Sequence, residues 1–349
     1  MKILSAASAF PKHYYKQEVL LADLREYWWE QLPNPQVLNR LHGRACVDGR
    51  FLALPIEEYY NPRTFGETNR AWLEAAEELG SQALCRALVR AGVATADLGA
   101  LFFVSVTGVS SPSIDARLIN RMGLSTNIRR VPIFGLGCVA GAAGIALAAG
   151  HVRAYPHQVA ALLSVETCSL TLQRDDLSVA NLISSGLFGD GAAAVLIAGS
   201  EWELPGPEIV ATKSIFYPGT EDVMGWDVSE KGFRIVLSPE VPNVIREHLG
   251  HDVDSFLEEH ELRRLDIGAW ILHTGGPKVL EATQDALGLD ESALAASWEC
   301  LRKVGNLSSA SVLVVLENFF TGRRPEPGTW SILAAMGPGF CSELVLLRW

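Results

Sequence analysis

Phe134-Gly-Leu-Gly-Cys138-Val-Ala-Gly-Ala-Ala-Gly-Ile-Ala-Leu-Ala-Ala-Gly150 sets one cysteine between a glycine-bearing turn and a run of small and aliphatic residues. The run reads as a buried helix, and Val131-Pro-Ile before it as the end of a strand. Gly135 and Gly137 would then make a sharp strand-to-helix turn with Cys138 at the helix start. Unpaired N–H groups and the positive end of the helix dipole favour a thiolate there over an ordinary thiol of pKa about 8.5. Two other readings compete. Gly135-x-Gly137-x-x-Ala140 matches a dinucleotide-binding fingerprint, with Glu166 after the apolar run 159–165 in the place of the ribose-binding acid. Free cysteine is also among the most buried residue types, so Cys138 could simply be packed in a core helix.

Outward from this stretch, 349 residues with 48% hydrophobic and 20% charged positions can bury a large core, as two domains or one duplicated unit. A net charge of −11 argues against nucleic acid as the main partner. The apolar start before Pro11 lacks a signal-peptide core and reads as a first strand. Gly or charged residues interrupt every apolar run before the ~18 residues of a membrane span, so a cytoplasmic protein is expected. The six cysteines lie far apart, without zinc spacing, which implies reduced thiols and no metal.

In chain order, Gln17 to Trp29 is helical in pattern and stops at Pro33-Asn-Pro35. Arg40, Arg44 and Arg50 then cluster within eleven residues, either a solvated basic turn or a seat for a phosphate-bearing ligand. Thr68 to Ala91 reads as a long amphipathic helix. The stretches 101–106, 159–165 and 189–198 read as buried strands, and 114–122 as a helix after a Ser/Gly/Pro loop. The second half repeats the plan: strands at 209–215, 233–237 and 269–273, helices at 241–260, 277–287 and 307–320, and closing strands at 330–336 and 343–347. Gly305-Asn306-Leu-Ser-Ser-Ala310 before an apolar helix echoes Gly137-Cys138. Two homologous halves, 1–199 and 200–349, would bring both helix starts to one centre, where the strand-end His273 also falls.

His273 alone is an ordinary strand-end histidine, and Asn306 alone an ordinary helix N-cap. Cys, His and Asn together, each at an element boundary beside glycine, resemble the centre of the thiolase-fold condensing enzymes. The chain most closely resembles the type III polyketide synthases, the chalcone-synthase-like family. The resemblance spans nearly the whole chain. It rests on Gly137-Cys138-x-x-Gly141, Leu187-Phe-Gly-Asp-Gly-Ala-Ala-Ala194, His273-Thr-Gly-Gly-Pro277, Gly305-Asn306-x-Ser-Ser-Ala310 and Gly337-Pro-Gly339, in the family's order. It displaces the dinucleotide reading, because a nicotinamide domain has no use for the later histidine and asparagine.

The resemblance implies a layered αβαβα thiolase fold and an acyltransferase without metal or redox cofactor. Cys138 would take a starter acyl group from coenzyme A, with His273 holding the thiolate as an ion pair. The His273 Nε2–H and the Asn306 amide would then stabilise the enolate formed as malonyl-CoA loses CO₂. Phe188 matches the gatekeeping phenylalanine, and Ile235 falls where many plant members carry a second ring. By alignment Val106, Ser111, Cys168 and Ile235 would line the cavity, Gly337 and Gly339 would shape it, and Arg40 and Arg44 would clamp CoA phosphate. With no ring closing the floor, a fatty acyl starter and a pyrone or resorcinol product are expected, in bacterial members' manner. A homodimer is implied, with the loop before Pro112 reaching the neighbouring site. The alternatives are a ketosynthase taking chains from an acyl carrier protein and, from another class, a non-catalytic thiolase-fold binding subunit.

Overall fold

The computed structural model describes residues 1–59, 61 and 63–349. Among them run thirteen strands and ten α-helices. The strands are β1 (Lys2–Ala9), β2 (His13–Lys16), β3 (Gly49–Leu52), β4 (Leu98–Val104), β5 (Arg129–Ile133), β6 (Val159–Thr167), β7 (Asp190–Ala198), β8 (Glu208–Phe216), β9 (Met224–Ser229), β10 (Gly232–Leu237), β11 (Ile267–Leu272), β12 (Trp330–Gly337) and β13 (Cys341–Arg348). The helices are α1 (Gln17–Trp28), α2 (Gln36–Gly43), α3 (Phe65–Ala91), α4 (Ile114–Met122), α5 (Ala140–Ala154), α6 (Val179–Leu187), α7 (Val241–Glu258), α8 (Pro277–Leu287), α9 (Ala295–Val304) and α10 (Ser311–Thr321).

Nine strands pair in the order β11-β12-β13-β8-β1-β7-β6-β4-β5. In the first half β1 is antiparallel to β7, β7 antiparallel to β6, and β6 parallel to β4. In the second, β8 is antiparallel to β13, β13 antiparallel to β12, and β12 parallel to β11. The repeat expected from the sequence is therefore present in the strand pairing, with β5 added beside β4 at one edge. The halves meet where Lys2 of β1 faces Glu208 of β8, and the boundary read at 199/200 falls in the loop before β8.

Three packed layers of side chains explain the architecture. One core joins α5 and α10 to the inner faces of both half-sheets, through residues such as Ala140, Ile145, Val312, Leu162 and Leu333. A second packs α3 on the outer face of the first half, and a third packs α7 and α8 on the outer face of the second. Strands β6 and β7 are buried along their whole length, which is why they read as continuous apolar runs rather than alternating ones. The small residues of α5 let the two central helices touch: a Cβ on Gly141 would stand 2.4 Å from the Ser309 carbonyl and 2.7 Å from Val312. That close approach brings the starts of α5 and α10 together.

The sequence reading places most elements within a few residues, and 114–122 and 277–287 without a shift. Helix α3 starts earlier than expected, because Thr64 and Glu67 form a capping box. Helices α6 and α9 and the strand β9 are not anticipated. One correction concerns membranes: Gly137–Ala154 is an apolar helical stretch of 18 residues, long enough by length and composition to span, yet 72% of it is buried inside the protein. It is a core helix.

Candidate active site

The chain enters the nucleophile turn with Gly135 at φ 94° and Gly137 at φ 53°, and residues Gly137–Val139 form a short 3₁₀ turn that runs into α5. Only a residue without a side chain fits at Gly137, since a Cβ there would lie 2.6 Å from Pro338. Its counterpart Gly337 would bring a Cβ within 2.7 Å of the Val139 nitrogen. The Gly337-Pro-Gly339 loop thus backs the Cys138 turn. Cys341 braces the same loop, its Sγ donating to the Gly337 and Pro338 carbonyls at 3.9 and 3.7 Å, and burial lifts its thiol to about 11.

Cys138 is buried, and its thiol donates to Ser308 Oγ at 3.7 Å. Burial pushes the thiol up to about 12, against the Ser308 hydrogen bond, with the Glu166 carboxylate adding to the rise. His273 follows β11, its backbone N–H donates to Ala334 of β12 at 3.0 Å, and burial draws its imidazole down to about 4. Its Nδ1 is buried without a partner. Burial thus acts on both groups toward the neutral form, against the thiolate–imidazolium pair that the resemblance implies.

Asn306 follows Gly305, which sits at φ 74°. The Asn306 Oδ1 accepts from the Ser308 N–H at 2.8 Å and from the Ser311 hydroxyl at 3.2 Å. It serves the helix start in the manner of a cap, and with its oxygen committed the amide NH₂ is left to donate. Ser308 lies between the two chemical groups, binding Cys138 with its hydroxyl and Asn306 with its N–H, at the unusual φ of 49° for a residue with a side chain. Glu166 is not exposed for a ribose. It is wholly buried, taking hydrogen bonds from the Val106 N–H at 3.1 Å, the Thr107 hydroxyl at 3.0 Å and the Ser309 hydroxyl, and desolvation lifts it to about 7.

Phe188, Cys168 and Ile235 meet in one cavity with a free volume of about 70 Å³. Trp226 meets them there, directly across the β9–β10 ladder from Ile235. A ring thus borders the cavity. Its signal was a tryptophan in an alternating stretch just before the Lys231-Gly232 turn, which pairs with 232–237 as a hairpin. Arg50, Tyr59, Ser169 and Thr171 give the same cavity a polar side. Val106 is buried beside Glu166 rather than in this lining, and Gly337 and Gly339 stand behind the thiol turn. Ser111 lies elsewhere, exposed in a surface groove with Trp72, Pro112 and Phe134.

The arginine cluster divides. Arg40 and Arg44 are exposed on and just after α2, whose inner face carries the buried His42 against Ser185 at 3.1 Å. Arg50 is buried, so it is closed to a soluble phosphate.

Comparison with known proteins agrees with this geometry. The family model for the N-terminal domain of chalcone and stilbene synthases matches residues 3–201, and that for the C-terminal domain matches residues 208–349. A 1,3,6,8-tetrahydroxynaphthalene synthase of Streptomyces peucetius subsp. caesius is 49% identical over 99% of this chain and 93% of its own length. A phloroglucinol synthase of Pseudomonas fluorescens is 31% identical, covering 97% of each chain. The crystal structure of 1,3,6,8-tetrahydroxynaphthalene synthase from Streptomyces coelicolor A3(2), a bacterial type III polyketide synthase, superposes with a TM-score of 0.96 at 32% identity, over 100% of this chain and 99% of that one.

Proposed function

The chain belongs to the chalcone and stilbene synthase family and is a type III polyketide synthase, a condensing enzyme, and on that premise we propose that it uses malonyl-CoA both as starter and as extender and releases a compact polyhydroxylated aromatic. The observation that carries the proposal is the cavity beside Phe188 and Cys168, whose lining includes none of Cys138, His273 and Asn306. Its free volume of about 70 Å³ holds about five water-sized groups, Trp226 lines it next to Ile235, and one side is polar. A fatty chain gains about 0.8 kcal/mol for each methylene that finds an apolar seat, and this cavity seats few of them. The relatives named for tetrahydroxynaphthalene and phloroglucinol make small rings bearing oxygen on alternating carbons, the pattern that joined malonyl units give.

In the proposed cycle Cys138 Sγ gives its proton to His273 Nε2 and attacks the thioester carbonyl of the starter; CoA leaves as the thiolate and takes its proton from solvent, so His273 keeps its Nε2–H. An extender malonyl-CoA then loses CO₂. Its enolate oxygen takes hydrogen bonds from the Asn306 NH₂ and from His273 Nε2–H, and its carbon attacks the Cys138 thioester, releasing the thiolate and leaving a chain longer by two carbons on CoA. Arg40 and Arg44 stand at the surface for the CoA phosphates. Val109 and Phe134, large apolar residues exposed beside Ser111, suit a homodimer face.

One observation favours the fatty acyl starter: Leu20, Leu24, Leu52 and Ile56 line the cavity beside its polar groups. A single experiment decides between the two. The purified protein with malonyl-CoA as sole substrate is expected to release CO₂ and form one aromatic product by mass spectrometry, lost in Cys138→Ala. Product formed only when a medium- or long-chain acyl-CoA is added would overturn the malonyl starter.

A further inference from the structure

Arg50, outside the catalytic triad, is buried in the cavity wall at the end of α6. Its Nη1 donates to the Phe188 carbonyl at 2.8 Å and its Nη2 to the Ser185 carbonyl, while its Nε is buried without a partner. A guanidinium is a costly way to fill space, because a buried donor left unpaired loses its hydration without return and an uncharged side chain would avoid that. Two features show what the arginine holds. It satisfies carbonyls that α6 leaves open at its C-terminal end, which fixes where the chain turns into Phe188. Phe188 in turn forms a parallel β-bridge with Asn306: the Asn306 N–H donates to the Leu187 carbonyl at 2.9 Å and the Gly189 N–H to the Asn306 carbonyl at 3.0 Å.

The contact leaves no slack. A Cβ on Gly305 would stand 2.5 Å from the Leu187 carbonyl, and one on Gly189 2.4 Å from the Val304 carbonyl, so the backbones touch on both sides of the bridge. A second buried charge steadies the arginine from β7. Asp190 accepts from the Ala53 N–H at 2.6 Å, the Ser169 N–H at 2.8 Å and the Ser169 hydroxyl, tying down the segment after β3. Its charge opposes the downward pull of burial on Arg50, which stays cationic at about 10.

We propose that Arg50 is a positioning residue for the decarboxylation step, holding Phe188 and, through the bridged backbone, the Asn306 amide that receives the enolate. It rests on the role given to Asn306 above. Cys138 is backed by the Gly337-Pro-Gly339 loop and shares only Ser308 with Asn306, so acyl loading depends less on Arg50 than decarboxylation does.

The test separates the two half-reactions in Arg50→Lys and Arg50→Met, alone and combined with Asn306→Ala. Acyl adduct on Cys138 is followed by intact-protein mass spectrometry, and CO₂ release by labelled malonyl-CoA. In Arg50→Lys, CO₂ release is expected to fall about tenfold, as misplacement of a catalytic group does, with adduct formation reduced by less. The double variant Arg50→Lys with Asn306→Ala should be no slower in CO₂ release than Asn306→Ala alone, since both act through one group. Equal losses in loading and decarboxylation, additive losses in the double variant, or wild-type CO₂ release in Arg50→Lys overturns the proposal. So does unfolding of both variants by circular dichroism, which would make Arg50 a part of the fold and not of the step. Wild-type CO₂ release in Asn306→Ala removes the role of Asn306 itself, whereas its loss there with none in Arg50→Lys removes Arg50 alone.

Discussion

The turns that carry Cys138 and Asn306 are two versions of one design. Each has a glycine at positive φ, one chemical residue, a short 3₁₀ turn and then an apolar helix of the central layer. They differ in how the chemical group is held. Asn306 has its side-chain oxygen fixed twice and its backbone bonded on both sides to the Phe188 segment, so its amide has one orientation. Cys138 has one weak side-chain hydrogen bond, from sulfur to Ser308. A donor that must meet an enolate oxygen needs a fixed direction, whereas a nucleophile that carries a growing chain must reach for one carbonyl after another. The duplicated framework gives rigidity to one turn and freedom to the other.

The largest expected effect breaks the pair cleanly. Cys138→Ala should form no acyl adduct and no product, whereas Asn306→Ala should lose CO₂ release by about 10²- to 10³-fold while Cys138 is still alkylated by iodoacetamide at the wild-type rate. Slowed alkylation in Asn306→Ala would show that the turns are not separable. A smaller effect sharpens the comparison at the residue they share. The Ser308 hydrogen bond favours the thiolate, so in Ser308→Ala the pH midpoint of alkylation should move upward and the rate at a fixed pH fall about two- to tenfold. An unchanged midpoint would remove Ser308 from the thiol's environment.

The smallest expected effect is on stability, and it concerns the buried carboxylate bonded to the loops on either side. Glu166 is lifted to about 7, above its unfolded value, so the stability it gives is full below about 4.5 and is lost as the pH rises through 7. His273 has the opposite sign. Depressed to about 4, it gives stability above about 6.5 that is lost as the pH falls through 4. Glu166→Gln should therefore gain melting temperature relative to wild type as the pH rises from 4.5 to 7, and His273→Asn as it falls from 6.5 to 4. Parallel curves for wild type and variant would show that the group titrates alike folded and unfolded.

Both turns are legible in the sequence because their chemistry is local: glycines mark the backbone reversals, and the apolar runs behind them mark the central helices. The layers follow for the same reason, since β6 and β7 are buried on both faces and carry no polar alternation to confuse the pattern. What is not legible is what one segment does to another across the fold. Trp226 meets Ile235 at the cavity only after the hairpin forms. Arg50 reads like its exposed neighbours Arg40 and Arg44 until β3 carries it inside. The upward pull of burial on the Cys138 thiol is likewise a property of the whole fold and not of its helix start.

The bridge between Phe188 and Asn306 also orders the making of the protein. A ribosome delivers the nucleophile turn long before Asn306 and α10. Until then α5, already packed on β4, β6 and β7, lacks α10, and the apolar surface of α5 and β1 on which α10 packs has no cover. A nascent chain of this design therefore carries an unclosed apolar face until α10 is made, a hazard of aggregation. It is inert for the same interval, because the group that steadies the enolate arrives only with the segment that closes the core.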